Sequence, residues 1–230
     1  MRVVIALPFH GKLGIIYASS AVLLTPFFAF TFAEILKAAG VSNISAYLMA
    51  TSITLLSLSL SPVNVVIYTF TKRHFIPTVD YIYVMGIPIP IPRVALREEK
   101  SYLAINIGGA VVPFIIATYL LLYFANPLLY LSIAVASILI YLISKVIPTV
   151  GVVTPAFAPP IIALITSLPT GGGPAAAYII AVYGTIIGAD LFNLRKILKY
   201  RPPFMSIGGA GVFDGIFLSG VIAVILSKLF

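Results

Sequence analysis

Cysteine, tryptophan and glutamine are missing from this chain of 230 residues, and only six residues are acidic. Without cysteine there is no disulfide framework, no thiolate nucleophile and no thiolate metal site, and the redox compartment leaves no trace. The joint lack of cysteine and glutamine suits a protein from a thermophile, where thermolabile side chains are depleted. Histidine is reduced to His10 and His74, which stand alone in the sequence. A zinc site therefore has no ligand set, and neither metal nor cofactor is expected. There is no P-loop, dinucleotide fingerprint or nucleophile elbow. Gly208-Gly209-Ala210-Gly211 falls inside an apolar run that reads as a helical span, so the strand-loop-helix setting that such glycine motifs need is not expected there.

Apolar surface is what the chain has in excess. Hydrophobic residues make up 61% and charged residues 9%, with a mean hydropathy of +1.15. Those values exclude an ordinary soluble domain and lead to the polytopic membrane class, a single integral membrane domain over residues 1–230. The net charge of +8 then reads as a topology signal, so membrane lipid and not nucleic acid is the expected partner.

The apolar runs predict an all-α fold of about seven transmembrane helices, near Leu13–Leu36, Ile44–Phe70, Tyr102–Phe124, Leu128–Ile147, Ile147–Leu168, Ala175–Leu194 and Ser206–Lys228. With odd spans leaving the N-terminal side, every Lys and Arg except Lys37 and Lys228 falls on that side. The positive-inside rule then gives a cell-membrane protein with a cytoplasmic N-terminus. The fifth span is the irregular one. Pro148, Pro155, Pro159, Pro160 and Gly151 break its first half, and unwound backbone at membrane depth is tolerated where it lines a cavity or is buried in protein.

The long loop Lys72–Lys100 predicts a small cytoplasmic β-hairpin. Val79–Met85 and Ile87–Val94 read as strands turning at Met85-Gly86. Pro88, Pro90 and Pro92 recur at period two, so their missing N–H groups all fall on one edge, which is blocked while the other can pair.

Function is sought at two aspartates in the last two apolar runs, Asp190 and Asp214. A carboxylate in a membrane segment costs roughly 2.5 to 3.5 kcal/mol and normally faces a protein interior or a wet cavity. Two sharing one proton supply a base to activate water and an acid to protonate a leaving group. The same residues also allow a proton or cation relay, or a structural network of Asp190 with Asn193 and Arg195. At 100° per residue Asp190 points about 140° away from Gly184 and Gly188. Either that glycine face packs elsewhere than on the last helix, or the aspartates are not direct neighbours.

The segments G-A-D-L-F-N-L and I-G-G-A-G-V-F-D-G-I-F-L-S-G, together with V-G-V-V-T-P-A-F-A-P-P, resemble an archaeal and bacterial family of multi-pass membrane proteins of unknown function. More distantly the pair is similar to the GxGD intramembrane aspartyl proteases, the class of presenilin, signal peptide peptidase and prepilin peptidase. That resemblance implies catalysis by Asp190 and Asp214 on a transmembrane peptide. Pro155-Ala156-Phe157 takes the place of the P-A-L element, and Gly209, Gly211 and Asn193 join it at the substrate. The pattern departs from presenilins in three places. Ala189 replaces the usual tyrosine, Gly209-Ala210-Gly211 stands three residues before Asp214, and the proline element precedes the aspartates. The alternatives are a proton- or cation-coupled transporter and a membrane scaffold with structural aspartates.

Overall fold

A computed structural model describes residues 2–5, 12–148, 150–209 and 215–229. Among them the chain begins with strand β1 (Arg2–Ile5), then helices α1 (Lys12–Ala38) and α2 (Asn43–Leu60). The apolar run continues past Leu60, but the helix does not. Pro62 lacks the N–H that a further turn would need, and Val63, Val65, Val66 and Ile67 just beyond it are β-branched. They open strand β2 (Val63–Val84), which turns at Met85-Gly86 into β3 (Ile87–Asn106).

Both turn residues have positive φ, 50° at Met85 and 82° at Gly86, the backbone of the two-residue turn that matches strand twist. The turn sits where the sequence places it, while the strands run far beyond Val79 and Val94. β1 pairs antiparallel with the base of β2. On the far side β6 (Phe204–Ile207) lies parallel to β3 from Tyr102 to Ile105. The four-stranded sheet has the order β1-β2-β3-β6.

The remaining elements are helical apart from one short ribbon. A turn of π-helix (Ile107–Val111) leads into α3 (Val112–Phe124), and α4 (Pro127–Ile143) comes next. Asn126 caps α4 by accepting from the Leu129 N–H at 2.8 Å, with Pro127 at the first position, where its missing donor costs nothing. Strands β4 (Lys145–Ile147) and β5 (Gly151–Val153) form a separate antiparallel pair. After α5 (Ala158–Ser167) and a short 3₁₀ turn comes α6 (Gly173–Gly184), which passes into a second π-helical stretch, Thr185–Leu191. Helices α7 (Leu194–Tyr200) and α8 (Gly215–Leu229) complete the described chain.

This architecture overturns the all-α polytopic fold of about seven transmembrane helices. Among the described residues three helical stretches are long and apolar enough to cross a membrane, Asn43–Leu60, Ile107–Phe124 and Gly173–Tyr200. The end of the second predicted span and the starts of the third and seventh are strands of one sheet. The interrupted fifth span is a two-stranded ribbon and then a helix of 10 residues. A hydropathy window responds to apolar content, and a strand buried on both faces is as apolar as a helix.

The core is centred on α6. From Ala175 to Val182 every residue is buried, so this helix is enclosed all round, consistent with its lack of any polar face. Phe32 of α1 and Phe217 of α8 meet near it with ring centroids 5.8 Å apart, and the Phe32 ring stands edge-on to Tyr178 at the same distance. Near the C-terminal ends of α1 and α8, Glu34 binds both Lys37 and Lys228. The two cations that the sequence sets apart from the rest thus share one carboxylate.

A buried polar knot joins the sheet to the helices. The Asn106 side chain accepts from the Gly109 N–H at 2.6 Å, capping the π-turn, and donates to Asn64 Oδ1 and to the Ser61 carbonyl. Ser206 of β6 donates to the same Asn64 oxygen at 2.7 Å, and Ser57 of α2 donates to the Gly108 carbonyl at 2.6 Å. Gly108 and Gly208 allow this closeness. A Cβ at Gly108 would collide with the Ser57 carbonyl oxygen, and one at Gly208 would collide with the Ala110 side chain.

Removing a partner from such a knot strands the others, at about 1 to 3 kcal/mol for each buried polar group. Asn106→Asp is expected to lower the thermal unfolding midpoint more than Asn106→Ala, because it places a carboxylate against Asn64 Oδ1 and the Ser61 carbonyl. A detergent-solubilised melt of the two variants checks the order.

Candidate functional site

Asp190 stands in the π-helical stretch that continues α6. The i→i+5 bonding is explicit at its end, where the Phe192 N–H donates to the Ile187 carbonyl at 2.9 Å. Such stretches are rare and occur often at functional sites. They also wind less per residue than an α-helix, so an angle drawn at 100° per residue does not carry across Thr185–Leu191.

The glycines settle which way this segment faces. A Cβ on Gly184 would press on Ala136 and Ile140, and one on Gly188 would collide with the Ser137 carbonyl oxygen. Both belong to the contact with α4, not with α8. On α8 it is Gly220 that meets α6 closely, where a Cβ would collide with the Tyr178 ring and press on Val182. A hydrogen bond of 3.1 Å between the Thr185 and Ser219 hydroxyls adds to it.

Two cavities meet at Asp190. One, of about 190 Å³, is bounded by Gly151 and Val152 of β5, Leu194 and Ile197 of α7, the strand β6 and Gly209. The other, of about 270 Å³, is bounded by Val152 to Ala156, Pro159, Thr185, Ala189, Gly215 and Ile216. Asp190 and Val152 belong to both linings. Asp190 is half-buried and is the sole ionisable residue in either wall among those described.

The second wall is held in place by the Thr154 hydroxyl, 2.7 Å from that of Ser144 at the end of α4. Pro159 in the first turn of α5 fixes where helix resumes after the extended segment.

The residues expected at the site are thus partly assembled. Asp190, Pro155 and Ala156 line the larger cavity, and Gly209 lines the smaller one with Asp190. Phe157 is 67% exposed and turned outward at the start of α5. Asn193 is fully buried and outside both linings. Its amide donates to the Ala189 carbonyl at 3.0 Å, closing the end of the π stretch, and its Oδ1 has no partner. Asn193 therefore positions the segment that carries Asp190, and the expected network with Arg195 is not among its bonds. His10, Gly211 and Asp214 lie outside the described residues. Gly209 and Gly215, the described residues on either side of 210–214, border the smaller and the larger cavity respectively.

Nothing local in the sequence marks Val152, Thr185 or the β6 residues as cavity walls. Their place depends on the β4–β5 ribbon and on the parallel pairing of β3 with β6, neither of which has a local motif.

An apolar, mainly helical protein with a mixed sheet and a carboxylate in the shared wall of two cavities is the class that fold and site define. The family model described as a protein of unknown function, DUF1614, matches residues 58–226, most of the chain, and the chain belongs to that family. The match runs from the end of α2 into α8 and takes in every residue of both cavity linings. Searches of curated proteins and of solved structures each returned no match.

The close packing of the π stretch on α4 sets a specific expectation. Gly188→Ala places a methyl group against the Ser137 backbone, where neither side can yield by a rotamer change. Overpacking of this kind costs about 1 to 3 kcal/mol. A lowered unfolding midpoint for Gly188→Ala, beside an unchanged one for Phe157→Ala at the exposed start of α5, would match this packing.

Proposed function

We infer that the chain is an intramembrane hydrolase of the aspartyl-protease type, with Asp190 as one of two carboxylates and Asp214 as the other. The observation that carries this reading is the position of Asp190 where two cavities meet, on a π-helical stretch, with Pro155 and Ala156 in the same wall. A carboxylate used only for packing needs neither a cavity nor a helix distortion.

Hydrolysis asks for one bound water within reach of both carboxylates, about 2.6 to 3.2 Å from each. It also asks for room beside that water for an extended apolar peptide. The 270 Å³ cavity holds a few side chains at most, so the substrate would be a transmembrane segment entering locally unwound, with membrane lipid around it. The distant likeness to the GxGD proteases rests on the same two aspartates and on the Pro155-Ala156-Phe157 element.

A second reading draws on the same geometry. A carboxylate shared by two cavities is also the arrangement of a proton or cation relay, in which each cavity opens to a different side.

The test uses the purified chain in detergent with apolar peptides of transmembrane composition, and the same protein in liposomes. Asp190→Asn and Asp214→Asn are each expected to abolish peptide cleavage while leaving the unfolding midpoint close to that of the parent. Cleavage that persists in Asp190→Asn removes the hydrolase reading. Absence of cleavage, together with a proton flux in liposomes that Asp190→Asn stops, transfers the site to the relay.

A further inference from the structure

Beyond the stretches flanked by β1 and β6, β2 and β3 continue as a two-stranded ribbon that no other described strand joins. None of the described residues between Ile67 and Lys100 is buried, and the ribbon extends for roughly 55 Å at the usual strand rise. A two-stranded ribbon of this kind is marginal alone and needs a third strand or a packed face.

The register fixes what each edge can do. In a two-residue hairpin the closing pair, Val84 with Ile87 in this ribbon, exchanges backbone bonds, and alternate pairs from there do not. Tyr83–Pro88, Tyr81–Pro90, Val79–Pro92 and Pro77–Val94 are therefore the pairs whose backbone groups point away from the partner strand. The base of the ribbon keeps this phase, since the Tyr102 N–H, an even number of residues from Pro88, donates outward to the Pro203 carbonyl at 3.0 Å.

Every outward donor of β3 from Pro88 to Pro92 has thus been removed. Over that stretch its edge cannot accept another strand. On β2 the outward N–H groups of Tyr83, Tyr81 and Val79 remain, and Pro77 interrupts the series below them. Near the tip one edge is open and the other is closed.

The side chains repeat this one-sidedness. The face that carries Tyr83, Tyr81, Val79 and Phe75 on β2 carries Pro88, Pro90, Pro92, Val94 and Leu96 on β3. That face is apolar without interruption down to the Arg73–Glu98 ion pair. Tyr83, Phe75 and Val94 are each more than 60% exposed, and the whole strip exceeds the scattered apolar residues normal for a surface.

We propose that the open edge of β2 pairs with the same edge of a second copy of this chain, antiparallel and centred on Tyr81. Tyr81 then meets its own equivalent, and Val79 and Tyr83 meet Tyr83 and Val79 of the second copy. Each of these pairs exchanges both backbone bonds, because all three residues lie in the outward phase. Pro77 limits the stretch at either end.

The product is a four-stranded sheet with one continuous apolar face, bounded on both sides by a β3 edge that prolines have closed. A two-fold contact of this kind is isologous, and along the paired stretch Pro88, Pro90 and Pro92 leave β3 no outward donor with which to recruit a third copy. The second copy is favoured over an unrelated strand because its β2 offers matching length, the complementary phase and a proline stop at the same place. Lipid is a poorer occupant, because it would leave the Tyr83, Tyr81 and Val79 donors without acceptors.

The absence of cysteine from the chain makes the test direct. Single substitutions Tyr81→Cys and Phe75→Cys are introduced into the full chain and oxidised in native membranes. Across a bonded antiparallel pair the Cα atoms are about 5.5 Å apart, within disulfide range. Two Phe75 positions in this register are roughly 40 Å apart by strand rise.

Tyr81→Cys is expected to yield a covalent dimer and Phe75→Cys to stay monomeric. In detergent the parent is expected to show twice the mass of Tyr81→Pro, a substitution the hairpin tolerates because that N–H bonds nothing within the ribbon. Equal cross-linking at both positions, no cross-linking at Tyr81, or labelling of Tyr81→Cys by a lipid-phase reagent would each overturn the proposal. A Tyr81→Pro protein that keeps the mass of the parent would overturn it as well.

Discussion

A helix with no exposed side is the constraint on which the rest of the structure depends. From Ala175 to Val182 α6 has protein on every face, so its neighbours must come close, and small residues let them do so. Ala175, Ala176, Ala177 and Ala181 keep its radius low, and Gly220 on α8 accepts the Tyr178 ring directly. On the α4 side Gly184 and Gly188 take the corresponding role. An enclosed helix satisfies its own backbone wherever its regular bonding holds, and only at its end, where regular bonding gives way to the π stretch, does it present a charged group. Asp190 stands at that exit, so its placement is a property of how the central helix terminates as much as of its own side chain.

Much of the fold is legible where the signal is local. The Met85-Gly86 turn and the period-two prolines identify the distal hairpin, because turn chemistry and strand alternation act over a few residues. The termination of α2 is half visible in Ser61-Pro62, which interrupts an apolar run without revealing that a strand lies beyond. The strands at Val63–Val66, Tyr102–Ile105 and Phe204–Ile207 are not legible. They are short, apolar and buried or half-buried within the sheet, so nothing in their composition separates them from helix. Phe204–Ile207 pairs with residues about a hundred positions earlier, a relation no window on the sequence contains.

The site is legible in its chemistry and obscure in its geometry. Asp190 is conspicuous because an acid among apolar residues is rare, and Pro155-Ala156 because prolines break the helix next to it. An unwound span would bring them into one wall, but they meet there through a ribbon, β4–β5, that carries the chain back beside α6. Asn193 resembles a substrate group in sequence because polar residues near an acid invite that reading. Its bonds to the Gly188 and Ala189 carbonyls show a role in holding the π stretch. The angle that turns Asp190 away from the glycines is drawn for an α-helix and does not carry across the π stretch, yet its first alternative holds, because the glycine face packs on α4 while Asp190 lines the cavities.

The order β1-β2-β3-β6 also bears on synthesis. β1, β2 and β3 can associate as soon as the first hundred or so residues have emerged, but β6 is made about a hundred residues later. Through that interval the base of β3, from Tyr102 to Ile105, keeps its outward donors without the strand that covers them. The prolines that close this strand lie further out, at Pro88, Pro90 and Pro92, and do not protect its base. Non-local pairings of this length form slowly, and an uncovered edge of this kind is a template for misassembly. A chain interrupted before Phe204 would carry that edge permanently and would also lack α8, which covers α6, so closing the sheet and enclosing the central helix are both completed by the last residues to be made.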